Sequence, residues 1–359
     1  MNKQEYLNQV KELLKECDEQ VVNEILADFE EHFELGEEAG KTEAEIAESL
    51  GDISEWIEEL KQIYAKKQLP SLIDEVEDDR IRRITVQSGS MDVKIQGDAD
   101  ELSWAVVDDW SKMNVHNYEI FETFSRGRLL LEVKPKENQR FGIVTSHVHF
   151  VLNLTDELNE VRVETASGDI EVLEAEADHF KLHTRSGDVG VSDCEGSLWI
   201  KTQSGDIDIE ECETDQIVLS STSGDIDIKE VKAEELSAKS TSGEIEVELE
   251  EAEMVSLTSV SGDIEFEGYA AQLKLSSTSG DVEVNGVCLE AMKIETISGD
   301  VEVTFKDCSG VQGIVETCSG DIDIDLDGVS GRSHHFTWGD GSTKVLLKTV
   351  SGDISISED

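Results

Sequence analysis

Nine acidic side chains, Asp169, Asp188, Asp206, Asp225, Glu244, Asp263, Asp281, Asp300 and Asp321, stand at nearly even spacing in the second half of the chain. Each is the last member of a Ser-Gly-Asp triplet, or of Ser-Gly-Glu at 242–244. Carboxylate oxygens suit Ca²⁺, and a column of them at the ~4.8 Å spacing of stacked strands could share one ion. Asp206, Asp225, Asp263, Asp281 and Asp300 are therefore the candidate metal ligands, and Ca²⁺ is the one cofactor the chain suggests. The competing chemistry is local. Gly supplies a positive φ or an uncrowded place in a tight turn, while Ser and Asp bond back to nearby backbone N–H groups. The paired-glycine nonapeptide that collects Ca²⁺ in β-helices is missing, which favours the turn.

Two residues before each triplet serine stands another hydroxyl, from Thr165, Thr184 and Thr202 through Ser221, Ser240, Ser259 and Ser277 to Thr296, Thr317 and Thr349. Nucleophilic chemistry would need a base beside one of them. The chain has eight histidines and none follows the repeat; His147/His149 and His179/His183 offer two ligands each, too few for a metal site, and read as surface side chains. No phosphate-binding glycine loop, metalloprotease helix or nucleophile elbow is present. A uniform repeat spreads equal places along a rod where catalysis needs one unlike place, so the chain reads as a binding protein and not an enzyme. The unlike places are the stretch 97–150 and the insertion Gly328–Lys344, whose Arg332, His335, Phe336 and Trp338 are candidate interaction residues.

The elements that position these residues are strands. After each triplet come two β-branched or aromatic positions separated by one polar residue, as in Ile207/Ile209, Ile226/Ile228 and Ile264/Phe266. Four and six residues before it lie further apolar pairs such as Leu198/Ile200 and Leu273/Leu275. Such alternation is a half-buried strand and would scatter around a helix. The triplets start at Ser167, Ser186, Ser204, Ser223, Ser242, Ser261, Ser279, Ser298, Ser319 and Ser351, so the period is close to 19 until two longer steps at the end. A fixed period of that size marks a solenoid, in which each unit buries its apolar face against its copies. The expected fold is mainly β: a single-stranded β-solenoid (β-helix) of about 19-residue coils, preceded by a small all-α domain. Its last coil, at Ile354–Ser357, is expected to leave an open edge through which rods could self-associate.

A net charge of −52 from 82 acidic and 30 basic residues excludes nucleic acid and unassisted adsorption to anionic lipid. It keeps a long β-surface soluble and favours basic partners. No run approaches the length of a membrane-spanning helix and the first residues lack an apolar signal region, so the expected location is cytoplasmic with no direct membrane insertion. The six cysteines are scattered without Cys-x-x-Cys, as expected of reduced structural thiols. Coil stacking would bring Cys194 beside Cys212 and Cys288 beside Cys308, at separations a disulfide tolerates.

Residues 1–66 follow helical periods: Tyr6, Val10, Leu13, Leu14; then Val22, Ile25, Leu26, Phe29, Phe33; then Thr42 with Glu45 as a capping box before Ile46 and Leu50; then Trp56, Ile57, Leu60, Ile63, Tyr64. Phe29, Phe33, Trp56 and Tyr64 are its candidate docking residues. Phe29-Glu30-Glu31-His32-Phe33, the Gly36–Lys41 turn, and Glu43–Ile46 leading into Ser49-Leu50-Gly51-Asp52 resemble the HAAS helical signalling domain of bacteria. That resemblance implies a four-helix head found with PadR-type regulators or ahead of membrane segments. An acidic linker follows at 67–80, where Pro70 and the Asp74–Asp79 charge run discourage packing.

From Ile84 to Ile95, Gly127 to Val133 and Phe150 to Leu154, and then through the triplet array, the chain is similar to the bacterial adhesin-type domain of β-strand repeats, a domain of unknown function. The resemblance divides residues 81–359 into irregular N-terminal coils and cap (81–160) and a regular solenoid (161–359). It implies a scaffold in bacterial signalling or envelope stress, whose head engages a protein partner such as a PadR-type regulator or a membrane sensor. The alternatives it carries are a structural protein assembling end to end like the bactofilins, and a cell-surface adhesin.

Overall fold

The computed structural model describes residues 80–359 apart from 109–112, 115–117, 137–147, 156–157, 307, 333 and 359. Before residue 80 it describes only Lys3, Tyr6 and Lys11, each in helical backbone. The expected four-helix head, the linker and the docking residues Phe29, Phe33, Trp56 and Tyr64 lie outside the described residues. The chain divides into two compact units, Met1–Val76 and Glu77–Asp359.

The second unit is mainly β, a solenoid-like stack of coils. Its regular part begins with β8 (Leu158–Thr165) and β9 (Ile170–Leu173), the strands before and after the first triplet. The same pair recurs as β10 (Glu176–His183) and β11 (Val189–Ser192), then β12 (Glu195–Lys201) and β13 (Ile207–Glu210). After β14 (Glu213–Ser220) the corner between coils straightens. Four long strands then serve both faces: β15 (Ile226–Lys239), β16 (Ile245–Thr258), β17 (Ile264–Ser276) and β18 (Val282–Glu295). All of these pair parallel, coil on coil.

Registration explains the alternation. Val93, Ile170, Val189, Ile207, Ile226, Ile245, Ile264, Val282 and Val301 are consecutive partners across the coils, and each is at most 1% exposed. Burying one such side chain is worth about 1.5–3 kcal/mol, and a slip of one residue would turn the whole ladder to water.

The ends depart from chain order. The first coil, β1 (Arg83–Ser88) with β2 (Asp92–Gln96), does not terminate the stack. Between it and β8 the chain makes β3 (Ser103–Asp108), β4 (Met113–Asn114), β5 (Tyr118–Ser125), β6 (Arg128–Pro135) and β7 (Val148–Asn153). Strands β6 and β7 stack outside β1 and β2, so β1 sits between β6 and β8 while β2 sits between β7 and β9. Antiparallel strands then cover this end, β5 on β6 and β3 on β7.

The other end repeats the device. After β19 (Val301–Phe305) come β20 (Gly310–Glu316), β21 (Ile322–Asp325), the hairpin β22 (Ser330–Arg332) and β23 (His335–Gly339), then β24 (Thr343–Lys348) and β25 (Ile354–Glu358). The chain's last coil inserts below the one before it: β24 lies between β18 and β20, and β25 between β19 and β21. The open edge expected at Ile354–Ser357 is therefore closed on both sides. The last and longest triplet step, from Ser319 to Ser351, holds the hairpin after which the chain returns.

Candidate functional site

Six successive triplet turns are closed hydrogen-bond cells. The Gly224 N–H donates to Ser221 Oγ at 2.9 Å, and that hydroxyl donates to the Gly205 carbonyl of the coil below at 3.5 Å. The same pair of bonds recurs at Thr184, Thr202, Ser240, Ser259 and Ser277. The hydroxyl column is thus bonded to backbone, and its members are buried apart from Thr317, which is half-buried. Glycine is required here by close approach: a Cβ on Gly224 would lie 1.9 Å from Gly205 O, and none of the triplet glycines has the positive φ that is the alternative reason for the residue.

The acidic column does similar work. The Asp225 N–H donates to Asp206 Oδ1 at 2.8 Å, Asp281 to Asp263 at 2.8 Å, Asp300 to Asp281 at 2.8 Å, and Asp353 to Asp300 at 2.7 Å. Each candidate Ca²⁺ ligand, Asp206, Asp225, Asp263, Asp281 and Asp300, therefore gives one carboxylate oxygen to the backbone of the next coil. Among the described residues no group of three or more His, Cys, Asp or Glu is arranged to hold a metal ion. Glu244 takes its place in the column by donating its N–H to Asp225 Oδ1 at 2.8 Å, but it makes no matching bond to the Asp263 N–H above it. The side chain is one methylene too long for the cell. Glu244→Asp should close the gap and raise stability by about 0.5–1.5 kcal/mol; urea unfolding showing no gain would count against this account of the ladder.

Like charges crowd the face beside the column. Burial first, then Asp227, Asp206 and Asp188, push the Asp208 carboxyl above its ordinary value. Burial and the neighbouring carboxylates push Glu244 and Glu265 in the same direction. Glu160 and Glu164 go the other way: burial alone would raise them, but hydrogen bonds from Lys181, and from Arg162 and Gln87, hold them low. A raised carboxyl is protonated more readily folded than unfolded. Its stabilising contribution is present below the unfolded value of about 4 and is lost as pH climbs through the folded one. The melting temperature should therefore rise as pH falls toward the unfolded carboxyl value of about 4, and drop again below it as Glu160 and Glu164 protonate. A monotonic fall on acidification, followed by circular dichroism, would overturn this.

Along another side of the rod runs a groove of about 1230 Å³. Its floor is a column of small residues, Ala177, Gly196, Thr214, Ala233 and Ala252, between exposed rims. One rim carries Glu176, Glu195, Glu213, Lys232 and Glu251; the other carries Asp178, Ser197, Asp215, Glu234 and Glu253. Sequence reading passed over it. A signal is present, however: a small residue between two polar ones begins nine residues after each of five consecutive triplet serines, and both flanks are acidic in three of them, Glu176-Ala177-Asp178, Glu213-Thr214-Asp215 and Glu251-Ala252-Glu253.

The insertion residues are split by the fold. Phe336 is buried on β23, with its ring against Gly313, while Trp338 is half-buried and stacks on Phe305 at 6.2 Å between centroids. His335 is exposed, and Arg332 lies in β22. His149, read from the sequence as a surface residue, is 6% exposed, and His179 packs edge-on against Trp199 at 5.0 Å. Cys194, Cys212, Cys308 and Cys318 are free thiols. Cys194 and Cys212 lie on adjacent coils, each thiol donating to backbone carbonyls, and the neighbouring Cys212 thiol together with burial pushes the Cys194 thiol up.

Fold and site define an acidic, solenoid-like β module with a carboxylate-rimmed groove. Residues 193–357 match the family described as Toastrack DUF4097, a family of unknown function, and residues 5–59 match HAAS. Three solved structures are similar in part. A "putative cell adhesion protein" from Clostridium sporogenes is 13% identical, over 80% of this chain and 97% of that one, with a TM-score of 0.21. A "putative adhesin" from Bacteroides fragilis is 12% identical over 78% and 93%, with a TM-score of 0.33. A "putative lipid binding protein" from Parabacteroides distasonis is 17% identical over 78% and 93%, with a TM-score of 0.38. Superpositions of this quality assign no ligand or partner to the present chain. The comparison with curated proteins finds no match. Among the described residues no helix is long and apolar enough to cross a membrane.

Proposed function

We propose that this is a non-enzymatic binding protein of the cytoplasm, a scaffold in bacterial signalling or envelope-stress response. Its N-terminal unit docks a PadR-type regulator or a membrane sensor, and its solenoid offers the groove to a second, basic protein segment. The groove supports the reading most directly: a concave strip across five coils, with carboxylates on both rims outnumbering Lys232 on one rim and Arg80 and Arg82 in the lining. The triplet hydroxyls and aspartates support it in a second way, because their hydrogen bonds hold coils together.

The test is titration of the full chain with a fluorescent nona-arginine peptide in buffered salt. Neutralising the rims through Glu195→Gln, Glu213→Gln and Glu251→Gln should weaken binding by roughly tenfold at a screening length of about 8 Å. An equal number of changes at Glu171, Asp208 and Glu246, away from the groove, should leave it nearly unchanged. Equal losses from both sets would reduce the interaction to overall charge and sink the proposal. End-to-end assembly is less favoured, because the edge on which it depended is paired on both sides.

A further inference from the structure

Four strands end the two parallel ladders: β6 and β7 at one end, β20 and β21 at the other. Three of them carry an antiparallel strand, β5 on β6, β3 on β7 and β23 on β20. Among the described residues, β21 pairs with β25 alone. The Ile354 N–H donates to the Asp321 carbonyl at 3.0 Å. In a parallel ladder the peptide groups of alternate residues then face the opposite side, so the N–H and C=O groups of Ile322 and Ile324 point off the end of the rod. Their side chains show the same incompleteness. Every coil below buries these two positions to 2% or less, whereas Ile322 and Ile324 are half-buried.

The outer face of β21 says what would fit. Asp321, Asp323 and Asp325 are exposed there, and β25 sets only Ser355 and Ser357 opposite Asp323 and Asp325. A second copy of the chain would bring the same three aspartates into register, and like charges opposite one another destabilise a pair. A strand with Lys or Arg at alternate positions would instead place cations about 5 Å from each aspartate and its intervening apolar residues over Ile322 and Ile324. In the turn column Val260, Ile297 and Val350 are 44%, 52% and 43% exposed, with Thr278 between the first two and Cys318 on the edge coil itself. Further down, the same place is held by Gln203, Thr222 and Thr241.

We propose that the β21 edge is a strand-addition site for an extended protein segment alternating basic and β-branched residues. Main-chain hydrogen bonds to Ile322 and Ile324 would supply the affinity, and the three aspartates the choice of partner.

The probe is a fluorescein-labelled Lys-Val-Lys-Val-Lys-Val-Lys peptide titrated into the full chain near physiological salt. A control of identical charge carries N-methyl groups on the three valine nitrogens, which removes the donors that a sheet edge requires. The unmethylated peptide should bind roughly tenfold more tightly, and Asp323→Lys should abolish the difference. The groove substitutions Glu195→Gln, Glu213→Gln and Glu251→Gln should leave that difference intact, which separates this site from the groove. Equal binding of the two peptides, or no binding by the full chain, would overturn the proposal. So would a dimer in sedimentation that Asp323→Lys dissolves, because the edge would then belong to a second copy.

Discussion

Gly224→Ala should cost on the order of 3–5 kcal/mol and unfold the middle of the rod, although it adds a single methyl group at a turn. The new Cβ would meet Gly205 O at 1.9 Å, Gly205 C at 2.4 Å and Asp206 N at 2.9 Å. All three are backbone atoms of the coil below, so no rotamer relieves the contact; the coils must separate. Separation lengthens the Ser221 to Gly205 and Asp225 to Asp206 hydrogen bonds together and opens the isoleucine ladder between them. Gly190 is the control. It lies in β11, where a Cβ would meet no atom within 4 Å, and Gly190→Ala should stay within about 0.5 kcal/mol of the parent. Because a stack of repeats unfolds in parts, the readout should include amide hydrogen exchange. Protection should fall between 204 and 261 and persist at the two ends. Equal stability of the two variants would refute the close-approach account of the triplet.

That contrast also shows what the sequence could disclose. Ser-Gly-Asp announced a turn, and the alternation around it announced strands, because both follow from local chemistry repeated many times. Which constraint the glycine met was not legible: residue type allows either positive φ or close approach, and only the neighbouring coil decides. The positive φ values fall elsewhere, on Glu174, Asp193, Glu211 and Glu230 at the opposite corner, where acidic residues accept the left-handed conformation. Chain order at the ends was hidden for a related reason. Ile322 and Ile354 have the same flanks and the same parallel register, so either could stack on Val301, and pattern alone cannot choose. The groove was masked by composition. In a chain with 82 acidic residues, exposed glutamates look like solvation, and the small residues between them stood out only once the coils were aligned.

Phe336→Ala should be the second most damaging change, and its consequence differs in kind. Phe336 lies on β23 directly across from Gly313 of β20, and a Cβ on Gly313 would reach 2.1 Å from the ring. Glycine at 313 therefore leaves the slot that the phenylalanine fills. Removing the ring should cost about 3–5 kcal/mol locally. Trp338 would keep its stack on Phe305 but lose the strand that presents it. With β23 loosened, the β20 edge would be bare and Val311 and Val315, now buried, would meet water. An unpaired edge beside apolar side chains invites pairing with another chain. The expected result is faster hydrogen exchange across 310–316 and 343–348, together with concentration-dependent association in sedimentation. Phe336→Leu, which keeps most of the volume, should show little of either. If Phe336→Ala remained monomeric with an unchanged exchange pattern, the hairpin would be an ornament on the rod. If association appears, β22–β23 is the device that closes the β20 edge, and the residues the sequence marked as candidate interaction residues are first a cap.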